Sequence, residues 1–171
     1  MIVDFRMRPP YKSYSDLWPL FPKGDEGPAD PRYLSPFACE QPASKVQKSI
    51  DLFISEMDEA GITQGVLMGR QSGPTYGSVP NDEIAELSAL YPGRFHMFGG
   101  VALNDVPAAV AEIDRIVKLG FKGVAVDSGW NDPPIYSDDK SLYPIYEKCQ
   151  ELDIILSLTS SLFLGPDLTY I

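Results

Sequence analysis

Met1-Ile-Val-Asp-Phe-Arg-Met-Arg-Pro-Pro10 reads as a short buried strand that runs straight into a polar loop. Ile2, Val3 and Phe5 supply the apolar strand positions. Pro9 and Pro10 have no backbone N–H to donate, so the ladder ends there. Side chains alternate across a strand, which predicts Asp4, Arg6 and Arg8 on one face. Two guanidiniums two residues apart crowd one spot. They need either an anion or carboxylates to neutralise them, and Asp4 is at hand.

Downstream of this strand, residues 9–43 are rich in Pro, Gly, Asp and aromatics, with Tyr11, Tyr14, Trp18 and Phe21 among them. A loop this long inside a compact domain is expected to be a lid or a disordered insert. Its aromatic content favours a lid, because disordered segments are poor in aromatics. Ser44 is expected to cap a helix with Val46, Ile50, Phe53, Ile54 and Met57 at helical spacing, stopped by Gly61. Ile62 to Met68 then reads as a second strand, ending in a loop that carries Arg70. Strand and helix patterns go on alternating: a helix from Asn81, a strand from Phe95, a helix over Val106 to Leu119, and a strand over Phe121 to Val126. A helix through Leu152 and a fifth strand over Ile154 to Leu158 follow. Such alternation implies parallel βαβ units with right-handed crossovers. The near-continuous apolar strands fit a sheet covered on both faces. No Gly-x-Gly-x-x-Gly follows any strand, so nothing supports a dinucleotide-binding fold.

The chain has 171 residues, the size of one domain. Its formal net charge of −10 and pI near 4.4 argue against nucleic acid as a partner, since there is no basic stripe to displace counterions. Met1 leads directly into the strand without a signal-peptide pattern, and no apolar run is long enough for a membrane span. The expectation is a cytoplasmic protein with no membrane partner. Cys39 and Cys149 lie far apart and are expected to be reduced thiols.

Several segments together resemble the amidohydrolase-related (amidohydrolase 2) family. The opening Asp4-Phe-Arg-Met-Arg8 resembles that family's Asp-Phe-His-x-His, which delivers two metal ligands. Glu59-Ala-Gly-Ile-Thr-Gln-Gly-Val-Leu67 resembles its junction into strand two, and Tyr91-Pro-Gly-Arg-Phe95 its lead-in to strand three. Leu119-Gly-Phe-Lys-Gly-Val124 resembles its fourth strand, and Leu142-Tyr-Pro-Ile-Tyr-Glu-Lys-Cys149 its fourth helix. The resemblance implies a (β/α)8 TIM-barrel fold, of which this chain supplies about the first five βα units as a single domain over 1–171. It also implies a hydrolase or lyase, decarboxylases included. Both paired histidine positions are arginine here, and the strand-five histidine corresponds roughly to Leu158. Guanidinium and leucine do not ligate metals, so no metal and no other cofactor is expected. His96 lies at the start of strand three and reads as a structural or surface residue.

Loops after parallel strands are where sites are built. Arg6, Arg8 and Asp127 are accordingly the expected catalytic set, with Arg70, Tyr76, Trp130, Thr159 and Ser160 as substrate-binding residues. Each has a plainer reading as well. The arginines could form an internal ion network, Arg70 could be a surface charge, and Asp127 could make a turn. The strand-five hydroxyls could satisfy their own backbone, and the aromatics could simply cover the core. No histidine stands near enough to complete a Ser-His-Asp triad. The expected partner is a small organic anion, a carboxylate or lactone substrate, with a homo-oligomer left open. The alternative is a non-catalytic binding or scaffold protein.

Overall fold

The computed structural model describes residues 1–17, 42–74, 76–131 and 133–159. Most of the expected lid, and Ser160, therefore lie outside the described residues. Five strands form one sheet in the order β1-β2-β3-β4-β5, every neighbouring pair parallel. They are β1 Val3–Met7, β2 Gln64–Met68, β3 Phe95–Gly100, β4 Gly123–Asp127 and β5 Ile155–Thr159. Helices α2 Ile50–Glu59, α3 Asn81–Leu90, α4 Val106–Lys118 and α5 Tyr143–Glu151 make the crossovers, and a short α1 Ala43–Gln47 precedes them. The arrangement is a half-barrel, five-eighths of a (β/α)8 fold.

One face of the sheet packs on the helices. Met7, Leu67, Phe95, Val124 and Val126 meet Met57, Ile84, Leu87, Ile113, Ile116, Ile145 and Cys149 in a single buried cluster. The opposite, inner face carries a smaller cluster of Val66, Met68, Phe98 and Ala125. Burial among apolar neighbours pushes the Cys149 thiol up to about 11, so it stays protonated and behaves as a small hydrophobe.

Helix starts differ in detail from the sequence reading. Ser44 does not cap a long helix, because the chain breaks at Lys48, whose φ of 49° is left-handed. Ser49 caps α2 instead, its Oγ accepting the Leu52 N–H at 3.3 Å. Ser44 is buried and donates its backbone N–H and its hydroxyl to the two oxygens of Glu56. Asn81 is likewise not a cap. Its side chain bridges both backbone groups of Gly100, tying α3 to the end of β3. The stretch after β1 is not wholly irregular either: Lys12–Asp16 form a 3-10 turn that buries Tyr14 and is followed by buried Leu17. Ser13 and Lys12 fasten that turn to Glu83 and Glu86 of α3.

Candidate functional site

Simple alternation misplaces β1. The β1–β2 register runs Val3 to Gln64, Asp4 to Gly65, then Met7 to Leu67, so Phe5 and Arg6 together oppose the single residue Val66. This bulge changes the strand's parity. Asp4 points toward the helices, and it lines an open pocket of about 220 Å³ together with Arg6, Met7 and Arg8 of β1 and its end, Phe53, Glu56 and Met57 of α2, and Ile62. Phe5 points inward, its ring 5.6 Å from that of Phe98 in an edge-on contact. Met7 points to the helices and Arg8 points inward. Asp4 and Arg8 both border that pocket, but Arg8 turns inward to a different carboxylate, so Asp4 is not the one that neutralises it. Asp4 accepts the Arg6 backbone N–H instead, at 2.9 Å.

The neutralising carboxylate comes from the far side of the sheet. Val124 and Val126 face the helices, so Asp127 at the end of β4 faces inward. Its Oδ2 accepts from Arg8 Nη2 at 2.5 Å and from Arg70 Nε at 2.9 Å. All three are buried, with side-chain exposures of 7% for Arg8, 3% for Arg70 and 1% for Asp127. Burial alone would favour the neutral acid. The charges of Arg8 and Arg70, Arg70's hydrogen bond and the charge of Arg6 outweigh it and hold the Asp127 carboxyl below its usual value. Asp127 is thus an ionised acceptor at neutral pH, and a proton-donor role does not suit it. Arg70 and Arg6 bind their protons less tightly than usual, through burial and then through the charge of Arg8, while Asp127 opposes that effect. Guanidiniums nonetheless remain charged. The Asp127 carboxylate thus lies within electrostatic reach of three guanidiniums.

Arg70 is held on every side. Its guanidinium lies over the Trp130 ring at 4.9 Å, and its Nη1 donates to the Tyr76 carbonyl at 3.4 Å. Tyr76 stacks edge-on against Trp130 at 4.7 Å. Trp130 is only 2% exposed, so its ring backs the arginine. The end of β2 can approach β3 this closely because Gly69 and Gly100 lack side chains: a Cβ on Gly69 would stand 2.2 Å from the Gly100 nitrogen.

Thr159 pairs with Asp127 in register, and its carbonyl accepts the Ser128 hydroxyl at 2.9 Å. Leu158 pairs with Val126 and so lies on the helix side, which makes Ser157 and Thr159 the inward positions of β5. The rough correspondence of a site position with Leu158 is corrected by one residue of register. His96 is exposed, with its Nε2 3.4 Å from Gln64 Oε1. Sequence reasoning missed two buried polar residues. Tyr14 is fully buried, its hydroxyl without a partner and its acidity lowered mainly by burial, with Arg8 opposing. Asn131 is buried with its amide Nδ2 unpartnered. An aromatic in the loop after β1 and an amide in the loop after β4 were the available signals.

A half-barrel whose strand ends converge on charged residues belongs to the barrel class of parallel α/β proteins. The comparisons then give the family. The amidohydrolase family model matches residues 3–170, and the chain belongs to that family. An uncharacterized TIM-barrel protein from Bordetella bronchiseptica superposes with a TM-score of 0.83 at 33% identity, over 99% of this chain and 58% of that one. Gamma-resorcylate decarboxylase of Polaromonas sp. is 37% identical over 79 residues, 43% of this chain and 24% of the relative. A dihydroxybenzoic acid decarboxylase from Polaromonas sp. JS666, solved with manganese and 2-nitroresorcinol, matches at 28% identity with a TM-score of 0.52, over 64% of this chain and 37% of that one. The matched stretches thus take in about a quarter of the length of such curated relatives.

The described residues do not fit a divalent cation of the kind bound by that last relative. Among the described residues no three His, Cys, Asp or Glu side chains come together. The one carboxylate at the centre has an oxygen already claimed by two guanidiniums. Among the described residues, no helix is long and apolar enough to cross a membrane.

Proposed function

We propose that this chain carries the substrate-anion site of a lyase acting on a small carboxylate, with an aromatic acid as the favoured class. The observation that carries the reading is the buried centre at the strand ends, where Arg8 and Arg70 donate to the Asp127 carboxylate and Arg6 lies within electrostatic reach. Arg8 also keeps a buried Nε–H without a partner, a donor that an anion can take. Arginine is suited to gripping a carboxylate or stabilising a developing oxyanion. In this reading the guanidiniums provide positive charge where the family's Asp-Phe-His-x-His would provide metal ligands, and no metal takes part at Arg6, Arg8 and Asp127. Thr159 and the Tyr76–Trp130 pair complete the substrate side as hydrogen-bonding and backing groups. The decarboxylase names of the relatives favour a lyase over a hydrolase.

The test is calorimetry of benzoate and of dicarboxylates on the intact protein, with carbon dioxide release followed for aromatic acids. Binding that is lost in Arg8→Ala and weakened in Arg6→Ala supports the site, and release of carbon dioxide supports the lyase. Binding without any turnover would favour the second reading, a non-catalytic ligand-binding member. That reading draws on the same ion network, since Asp127 already pins Arg8 and Arg70.

A further inference from the structure

The open pocket of about 220 Å³ beside β1 combines an apolar lining with charges of both signs. Met7 and Met57 are its buried lining residues, 4% and 3% exposed, and Phe53 and Ile62 are half-buried beside them. Asp4, Arg6, Arg8 and Glu56 supply the charged lining. These four differ in what already holds them. Arg8 is paired with Asp127. Glu56 accepts from the backbone N–H and the hydroxyl of Ser44, neutral donors that leave its charge unopposed. Asp4 accepts one backbone N–H at Oδ1. Among the described residues, Asp4, Glu56 and Arg6 make no ion pair. A lone anion placed here meets Arg6 but also two carboxylates, and a lone cation meets the reverse. A hydrocarbon strips water from all three charges and returns nothing. A molecule that carries both signs and an apolar group complements the whole lining. At about 30 Å³ per water, the volume admits about seven water-sized groups, which restricts the ligand to a small metabolite rather than a drug-sized one.

We propose that this pocket binds a free α-amino acid with an aliphatic side chain. Its carboxylate accepts from the Arg6 guanidinium, its ammonium donates to Asp4 and faces the Glu56 charge, and its side chain lies against Phe53, Met57 and Ile62. The proposal does not rest on the anion site at Asp127, although Arg6 and Arg8 border both places.

The experiment is calorimetry of the intact protein with leucine, with isocaproate, which lacks the ammonium, and with isopentylamine, which lacks the carboxylate. A hydrogen bond to a charged group corresponds to about tenfold or more in affinity, so leucine should bind about tenfold more tightly than either. In Asp4→Asn the amide oxygen can still accept the Arg6 N–H, while the charge is gone. Leucine should then fall to the level of isocaproate, whose own affinity should not change. The ligand series stands on its own should that variant fold poorly. Isocaproate within about threefold of leucine, the reach of an exposed ion pair, overturns the inference and moves the carboxylate to the Asp127 centre, which is left standing. Isopentylamine equally close to leucine overturns it as well, leaving a site for cations only. Absence of leucine binding overturns it and means that water or another part of the protein fills the pocket. Benzoate run alongside judges the anion site separately.

Discussion

Asp127 concentrates the molecule's electrostatics in a single side chain. Replacing it with Asn removes the charge that it sets against buried Arg8 and Arg70, and breaking a buried pair costs about 3 kcal/mol or more. Urea unfolding of wild type and Asp127→Asn at neutral pH should show that gap. Its pH dependence follows from the lowered pKa. The ionised carboxylate stabilises the fold fully above the ordinary aspartate value of about 4, and the contribution drains away as pH falls through the lower folded value. The two proteins should converge in stability in strong acid, and a gap that stays constant into acid would show that Asp127 is not ionised in the fold. Arg8→Lys should also weaken the centre, because an ammonium cannot reproduce the in-plane guanidinium contact to Oδ2.

Among the elements, β1 shows where sequence reading stops. Its apolar residues, its end at the prolines and its place at the sheet's edge were legible, as were all five strands and the four crossover helices. The side on which Asp4 lies was not, because a bulge is set by how Phe5 and Arg6 share Val66, a tertiary matter that period-2 counting cannot detect. The pairing of Arg8 with Asp127 spans 119 residues and was visible only as charges at strand ends. Trp130's service to Arg70 was hidden because a tryptophan in a loop reads equally as a substrate wall or as a buried brace. The ends of β2 and β3 supply the next prediction. Gly69→Ala would drive a methyl into the Gly100 backbone, where no flexible atom can yield. It should destabilise the fold and shift Arg70 off Asp127, read as loss of anion affinity without any change of charge. By contrast, Lys48→Gly relieves a left-handed residue between α1 and α2 and should raise stability by about 0.5 kcal/mol in thermal unfolding.

On the scale of the whole molecule, the two outer strands stand out. Phe5 is 54% and Ile155 51% exposed on the inner face of β1 and β5, and among the described residues each of these strands is paired on one side only. Long apolar edges are templates for further strand pairing. The 171-residue stretch by itself should therefore self-associate in light scattering, and Phe5→Lys with Ile155→Lys should reduce the association. Unchanged association in that double variant would locate the contact elsewhere.

The three guanidiniums sit in a chain of formal charge −10, which sets two electrostatic ranges against each other. An approaching acid first meets a negative field and feels the arginines only near contact. Raising ionic strength from about 0.01 M to about 0.15 M shortens the screening length from about 30 Å to about 8 Å. That change removes the distant repulsion while barely touching contacts made away from water. Capture of the anion should then quicken with salt, the reverse of the usual behaviour of oppositely charged partners. Stopped-flow tryptophan fluorescence would read the rate, and slowing with salt would mean that the positive mouth projects its field into solution.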